Sequence, residues 1–381
     1  MSMTLTGLIP IIYQARDRVA RELVGMIPAV TIDSDAAQAA VGQTVRSFVS
    51  QPTTLTNITP SNVVPNSGGQ TLVYKDIVIN NSQAAPIQWT GEEQRSVGAQ
   101  FDKMLTDQFA QSFRTIANAV ELSLLQTATA GASRAVGTAG VTPFANTLST
   151  IDAANTAQVL DDNGTPPDDR HLVVSTSTFR NLASSPYLFK VNESGNDDLL
   201  RRGTIGQLEG FSLGKTGQSR AAKHFSGLSS TANAYSTSGA NVIGDTAITA
   251  DVSMAGANSG DVVVFAGDTS QYVVGSGSGS VLTLNNPGLF NTALSNAAFT
   301  SVGNYTPNFG FHRSAILLAA RAPLMPAGGD AASDVILVED EASGLVYQIA
   351  MYKAYRQMHI EVGLAWGSLA VKSEFITILL G

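Results

Sequence analysis

Histidines and one glycine-rich lysine motif are the residues of this sequence that could do chemistry. The four histidines stand far apart with no HExxH pattern, so each is expected at a core edge or on the surface. Residues 210–216, GFSLGKT, have three residues between their glycines, where a phosphate-binding loop needs four. The motif therefore does not match a phosphate-binding loop. A P-loop-like enzyme remains an alternative, which loss of nucleotide binding in Lys215→Ala would support.

Acidic side chains cluster in one loop, residues 161–170 (DDNGTPPDDR), which lacks the spacing of a calcium-binding EF-hand. We expect that loop to be solvated. The sequence has no cysteine, which excludes disulfides, thiolate nucleophiles and cysteine-bound metals. The sequence therefore predicts a protein that is not an enzyme, with no catalytic residue, no cofactor and no metal site.

The surface is expected to carry little charge. Charged residues make up 14% of the 381 residues, against about 25% in a typical soluble domain. A surface that other copies of the chain cover needs less charge than the surface of a free monomer. The net charge of −8 argues against a sequence-reading nucleic-acid binder. No apolar stretch is long enough to span a membrane, and the N-terminus lacks the basic region of a signal peptide.

The elements that would position any site are organised around one long helix, predicted over residues 90–130. Thr90 and Glu93 fit a capping box at its start. Apolar residues then recur at steps of three and four, the period of one helix face: Val97, Phe101, Leu105, Phe109, Phe113, Ile116, Val120 and Leu124. A helix of about 50 Å with a single apolar stripe needs a long partner surface. The late strands predicted after residue 309 are the natural partner.

Two segments before this helix have little of their own to bury. Residues 1–45 are predicted to contain a short helix, about residues 10–25, and a small, acidic connector. In that helix, arginines alternate with acidic residues, which indicates a solvated helix or an arm that packs on another protein: Arg16, Arg18 and Arg21. Residues 46–89 are predicted to be an extended hairpin, with a strand near residues 70–79. Such a hairpin needs a partner surface.

Beyond the long helix, the predicted fold class is α+β with an inserted all-β part. Residues 141–224 mix helical and strand patterns. Residues 225–308 are rich in Ser, Gly, Ala, Thr and Asn, with short apolar runs between turn residues, and predict a small β domain. Residues 309–381 return to long strands, and with residues 90–140 they would form one domain.

This order of parts resembles the major capsid proteins of tailed bacteriophages, the Hong Kong 97-like fold. The stretches that carry the resemblance are GTIGQLEGFSL at 203–213, GDVVVFAG at 260–267 and VGLAWGSLAVKSEFITI at 362–378. The last two are similar to a short-tailed-phage subgroup with an inserted β-barrel. Ser373 stands where that subgroup would have proline.

The resemblance implies a non-enzymatic shell protein that forms the pentamers and hexamers of an icosahedral virion capsid. Residues 1–45 would form the N-terminal arm, and segment 46–89 an extended hairpin over a neighbouring subunit. Residues 90–140 with 309–381 would form the peripheral domain with its spine helix and antiparallel sheet, residues 141–224 the axial domain, and residues 225–308 the inserted small β domain. The implied partners are other copies of the chain, scaffolding protein and portal during assembly in the host cytoplasm, and packaged double-stranded DNA bound without sequence specificity. No membrane partner is implied.

The candidate inter-subunit residues are Arg16, Arg18, Arg21, Tyr74, Lys75, Asp76 and Trp89. Some members of the family cross-link their shells through a Lys and an Asn. Lys75 and Asn80 are present, but no motif carries that reaction over to this chain. Two further alternatives remain: an encapsulin-type nanocompartment shell, which shares the fold, and a secreted β-rich adhesin, suggested by the Ser/Thr/Asn-rich middle.

Overall fold

The structure is a computed structural model, and it describes residues 5–19, 24–49, 55, 57–58, 60, 73–146, 149–189, 203, 205–292, 296–340 and 343–381. The helices are α1 (Leu5–Val19), α2 (Gly91–Val97), α3 (Phe101–Gly131), α4 (Ile151–Asp162), α5 (Thr176–Ala183) and α6 (Pro186–Phe189). The first ten strands are β1 (Thr31–Ala39), β2 (Thr44–Val49), β3 (Val73–Val78), β4 (Asn81–Thr90), β5 (Arg134–Val136), β6 (Arg170–Ser175), β7 (Gln207–Leu208), β8 (Phe211–Thr216), β9 (Tyr235–Ser236) and β10 (Ala247–Thr249). The others are β11 (Val262–Phe265), β12 (Gln271–Ser278), β13 (Val281–Leu284), β14 (Ala298–Ser301), β15 (Pro307–His312), β16 (Ile316–Pro323), β17 (Ala332–Glu339), β18 (Val346–Ala354), β19 (Gln357–Ala370) and β20 (Ile376–Leu380).

A six-stranded sheet and the long helix α3 form the centre of the chain. The strand order is β1-β16-β19-β18-β17, and β4 pairs with β19 along its whole length. Helix α3 lies across β19, where the hydroxyls of Ser123 and Thr127 lie 3.3 and 2.7 Å from that of Ser368. The predicted partnership between the long helix and the late strands is confirmed, as is the α+β fold class with a long helix and several sheets.

The apolar stripe of α3 is buried as its period predicted, and these side chains are at most 3% exposed: Leu105, Phe109, Phe113, Ile116, Val120 and Leu124. Burying each such side chain contributes about 1.5–3 kcal/mol. The predicted capping box is also present, because the Thr90 side chain accepts from the backbone N–H of Glu93 while the Glu93 carboxylate accepts from that of Thr90. The prediction of one unbroken helix from residue 90 was wrong. Helix α2 ends at Gly98, whose φ of +59° favours glycine, and a 3-10 turn separates it from α3.

The second sheet combines segments that the sequence predicted to lie in different domains. Its order is β7-β8-β6-β15-β20-β5-β12-β11-β14-β9, with β13 joining β12 to β10. Strands β15 and β20 pair with each other, and β15 also pairs with β6. Strands β15 and β20 of segment 309–381 therefore belong to this second sheet, while their buried side chains share one core with α3. Strand β6 is buried along most of its length, so it needs a strand on each edge, and β8 and β15 supply them.

The inserted β module has an apolar core of its own, built around Phe265, Tyr272 and Phe299. It is not a separate sheet, because β12 pairs with β5. At its entry and exit, His224 and Tyr305 form an antiparallel bridge with their rings 5.1 Å apart. The module is therefore fastened to the body at both of its ends.

The N-terminal segment belongs to the core more than the sequence suggested. Helix α1 runs over Leu5–Val19 and packs on α3, with Leu8, Ile12 and Ala15 buried. The acidic stretch expected to be a connector forms β1, which pairs in parallel with β16. This segment forms a strand although it has few apolar residues, because the backbone N–H and C=O groups of the buried neighbouring strand need hydrogen-bond partners.

Candidate assembly interface

Strands β2 and β3 form a two-stranded antiparallel ribbon that is separate from both large sheets. The register pairs Thr44 with Val78, Arg46 with Asp76 and Phe48 with Tyr74. Cross-strand partners point to the same face, and all six of these side chains are exposed. Phe48 is 68% and Tyr74 47% exposed. The ribbon therefore presents an unpartnered face of aromatic and charged groups.

Among the described residues of the ribbon, those at its base are anchored on the body. Ile77 and Ile79 are buried against Ala319 and Ala365 of the six-stranded sheet. A Cβ atom built on Gly367 would lie 2.0 Å from the carbonyl oxygen of Val78, so only glycine admits this close approach. An isolated two-stranded hairpin is marginally stable in water. A surface that covered the exposed face would therefore stabilise the ribbon further.

Charge on the exposed face is paired but remains accessible. The Arg46 guanidinium donates from Nε to Oδ1 of Asp76 at 3.0 Å, and its Cζ lies 3.7 Å from the centroid of the Tyr74 ring. The hydrogen bond to Asp76 raises the pKa of Arg46 above its ordinary value. Tyrosine and arginine are enriched among the residues that dominate binding at protein interfaces. The face has the composition of an interface centre.

Three of the predicted inter-subunit residues lie together on the ribbon, namely Tyr74, Lys75 and Asp76, and all are exposed. Trp89 lies apart from them, 6% exposed, with its ring edge-to-face on Phe101 at 5.1 Å. Its indole Nε1 donates to Oε1 of Gln108 at 2.6 Å. Trp89 is thus a packing residue of this chain, and only its outer edge is open to a partner.

Of the predicted N-terminal arginines, the structure describes Arg16 and Arg18. Arg16 donates from Nη1 to the carbonyl oxygen of Glu339 at 2.9 Å, so it binds its own sheet. Arg18 belongs to α1, and Arg21 lies outside the described residues. The two potential cross-linking residues, Lys75 and Asn80, are both exposed, one on β3 and the other in the turn that follows it.

The motifs that suggested chemistry have structural roles. Residues 211–216 of the glycine-lysine motif form β8, where Lys215 pairs with Val174, so no phosphate loop exists there. The acidic loop is tied down by ion pairs, of which Arg170 to Asp161 is the shortest at 2.8 Å. Over the ranges that the structure describes, no group of three or more His, Asp or Glu side chains is placed to hold a metal ion. Among the same residues, no helix is long and apolar enough to cross a membrane.

One histidine gains a partner that its sequence neighbours did not reveal. His224 Nε2 lies 2.8 Å from Oδ1 of Asp261, which is fully buried. Asp261 also accepts from the backbone N–H groups of Gly227 and Asn258. The pair links the entry of the β module to a turn within it, and so has a structural role.

Glu121 is a buried structural residue that sequence reasoning missed. It is fully buried on α3, and its carboxylate accepts from the backbone N–H groups of Gly25, Met26 and Ile27 at 2.7, 2.8 and 3.1 Å. Burial raises the pKa of Glu121, while these hydrogen bonds and one from Thr216 pull the pKa down. A single glutamate on the apolar face of α3 was the available signal. Glu121 joins the N-terminal segment to the long helix and to β8.

Comparison with known proteins gives structural matches alone. No family model and no curated protein matches this chain. Among solved structures, the capsid of the cyanophage P-SCSP1u has 11% identity and a TM-score of 0.47, covering 92% of this chain and 86% of that one. A structure of Mycobacterium phage Che8 has 11% identity and a TM-score of 0.43, covering 96% and 90%. A virus-like particle from Pyrococcus furiosus has 9% identity and a TM-score of 0.40, covering 97% and 96%.

Proposed function

We propose that this chain is the major capsid subunit of a tailed double-stranded DNA bacteriophage, and that it assembles into the pentamers and hexamers of an icosahedral shell. The observation that carries the proposal is the ribbon of β2 and β3, which is anchored at its base and exposes Phe48, Tyr74 and Arg46 along one face. Within a monomer, the exposed face of this ribbon buries no apolar surface. A ring or shell of copies covers it at every interface.

The remaining architecture supports the same proposal. The described order of parts, α1, ribbon, α3 with its sheet, mixed domain and β module, is the order that the Hong Kong 97-like resemblance implies. The ribbon would lie over a neighbouring subunit, and residues near 141–224 would meet at the capsomer centre. The interface residues proposed are Arg16, Arg18, Arg21, Tyr74, Lys75, Asp76 and Trp89.

The negative net charge of the chain suits a protein that encloses DNA better than one that binds DNA tightly. Tight binding to the phosphate backbone comes from neutralising it with Lys and Arg, and this chain has a net charge of −8. A shell whose inner surface binds DNA only weakly lets the packaged genome slide. Scaffolding protein and portal are the partners proposed for assembly, which would take place in the host cytoplasm. The proposal assigns no catalytic step to the chain.

The test compares assembly of the natural chain with that of a ribbon variant. We expect the purified protein to form large closed particles in sedimentation and negative-stain electron microscopy. The double substitution Phe48→Glu and Tyr74→Glu places two charges on the exposed face of the ribbon, and we expect it to leave monomers or small rings. Val242→Glu is the matched control, because Val242 is 60% exposed on the β module.

Circular dichroism shows whether each variant keeps its fold. A natural chain that stays monomeric would contradict the proposal, and so would normal shells from the ribbon variant. Shells lost equally in the Val242→Glu control would show that the ribbon has no special role.

A further inference from the structure

A polar cavity of about 320 Å³ lies on the face of the six-stranded sheet that points away from α3. Side chains along a strand alternate between the two faces of a sheet. Ser368 of β19 contacts α3, so Glu361 and Gly363 point to the opposite face, where they line the cavity. Residues 324–326 and Asp330, which lie between β16 and β17, also line it.

The cavity exists because three neighbouring strands carry small residues on this face. Gly363 of β19 pairs with Ala84 of β4, and Ala350 lies beside them on β18. A Cβ atom built on Gly363 would lie 3.1 Å from Cγ of Pro323, so glycine keeps this part of the floor open. The polar side chains around this floor can therefore reach one ligand together.

Negative charge lines the cavity without a counter-charge. Glu361 and Asp330 supply two carboxylates, and none of the described residues that line the cavity is Lys, Arg or His. Oη of Tyr352 donates to Oδ2 of Asp330 at 2.8 Å. Burial raises the pKa of Tyr352 to about 12, and the hydrogen bond to Asp330 and the charges of Asp330 and Glu361 act in the same direction. The Glu361 carboxylate has no hydrogen bond or ion pair with any residue that the structure describes.

A buried amide in the same cavity also has a free donor. Gln348 lies opposite Gly363 on the cavity face of β18 and is 6% exposed. Its Nε2 has no hydrogen-bond partner among the described residues. Buried polar atoms of native proteins are nearly always hydrogen-bonded. This donor therefore points to a ligand that supplies an acceptor oxygen.

We propose that the cavity binds an organic cation, an ammonium or guanidinium group whose carrier also has a carbonyl oxygen. The carboxylates of Glu361 and Asp330 would bind the cation through charge-assisted hydrogen bonds, and Nε2 of Gln348 would donate to the carbonyl oxygen. A metal ion fits less well, because an amide N–H cannot ligate it and no group of three His, Asp or Glu side chains is placed for one within the described ranges. This inference does not rest on the proposed function.

Isothermal titration of the unassembled chain tests the site with two ligands of equal charge. N-acetylargininamide has a guanidinium group and carbonyl oxygens, whereas butylguanidinium has the guanidinium group alone. We expect N-acetylargininamide to bind about tenfold more tightly, because it alone satisfies Gln348. Glu361→Gln should weaken its binding by at least about tenfold. Glu339→Gln is the matched control, because it removes an exposed carboxylate of the same sheet, and it should leave the affinity unchanged.

Two further variants separate the parts of the site. Ala84→Leu fills the cavity from an exposed position of β4 without a change of charge, and it should abolish binding while the circular dichroism stays that of the natural chain. Gln348→Leu removes the donor and should lower the affinity for N-acetylargininamide to that for butylguanidinium.

The outcomes are distinct from those of the assembly test. Equal affinity of the natural chain for the two ligands would overturn the role of Gln348. Absence of binding, or binding that persists in both Glu361→Gln and Ala84→Leu, would overturn the site and leave the proposed function standing. The peptide acetyl-Gly-Arg-Gly-amide separates two sources of the cation: tighter binding than that of N-acetylargininamide would indicate a partner polypeptide, and weaker binding a free small molecule.

Discussion

The buried carboxylate of Glu121 gives the most specific prediction about stability. The change Glu121→Ala removes the acceptor of three backbone N–H groups, those of Gly25, Met26 and Ile27. Each buried donor without a partner costs about 1–3 kcal/mol. Leaving all three N–H groups without an acceptor therefore weakens the attachment of the N-terminal segment by at least about 3 kcal/mol.

Amide hydrogen exchange of the unassembled subunit measures this loss directly. We expect the amides of Gly25, Met26 and Ile27 to exchange about a hundredfold faster in Glu121→Ala, since about 1.4 kcal/mol corresponds to a factor of ten. Gln126→Ala is the matched control, because Gln126 is exposed on the same helix. Exchange of these three amides that stays at the natural rate in Glu121→Ala would refute the reasoning.

The pH dependence of the same site follows from the direction of the pKa shift. Burial raises the pKa of Glu121 above the ordinary 4.5. The folded chain therefore binds this proton more tightly than the unfolded chain does, and the contribution of Glu121 to stability rises as pH falls through the raised pKa. We expect Glu121→Gln to remove that part of the slope of the unfolding free energy against pH. An identical slope in the variant would contradict this account.

Three further substitutions test separate features of the fold. Thr90→Ala removes the capping box of α2 and should lower the unfolding free energy in urea by about 1 kcal/mol; no change would show that the cap is dispensable. Gly367→Ala places a methyl group 2.0 Å from the Val78 carbonyl oxygen, so the base of the ribbon should shift and proteases should cut the ribbon faster, whereas unchanged cleavage would contradict the close approach. Asp261→Ala leaves His224 and two backbone donors of the β module without their acceptor and should cost about 3 kcal/mol, measured by urea unfolding; an unchanged unfolding free energy would contradict this role.

Local patterns predicted the elements that depend on near neighbours. The capping box at Thr90 and the stripe from Leu105 to Leu124 follow from spacing alone, because a helix repeats every 3.6 residues. The strand near residues 73–78 followed from its β-branched and aromatic residues between turn signals. The break at Gly98 was missed because a single glycine within a helical pattern is tolerated and does not by itself signal the end of a helix.

Pairings between distant segments could not be predicted in the same way. Strand β1 has an acidic, small-residue sequence that does not predict a strand, and it pairs in parallel with the backbone of β16. Strands β15 and β20 read as members of the peripheral domain, yet they pair beside β6. Strand pairing is set by contacts far apart in sequence, which local propensity does not encode.

The candidate interface divides along the same line. The sequence by itself determined that Tyr74, Lys75 and Asp76 lie on an extended segment between turn signals, with little of its own to bury. Only the tertiary structure decided that Phe48 and Arg46 share the exposed face with Tyr74, that Trp89 packs in the core, and that Glu121 clamps the N-terminal segment. The physical reason is that alternation and helical period specify which way a side chain points, whereas its partner is specified by segments that meet only when the chain has folded.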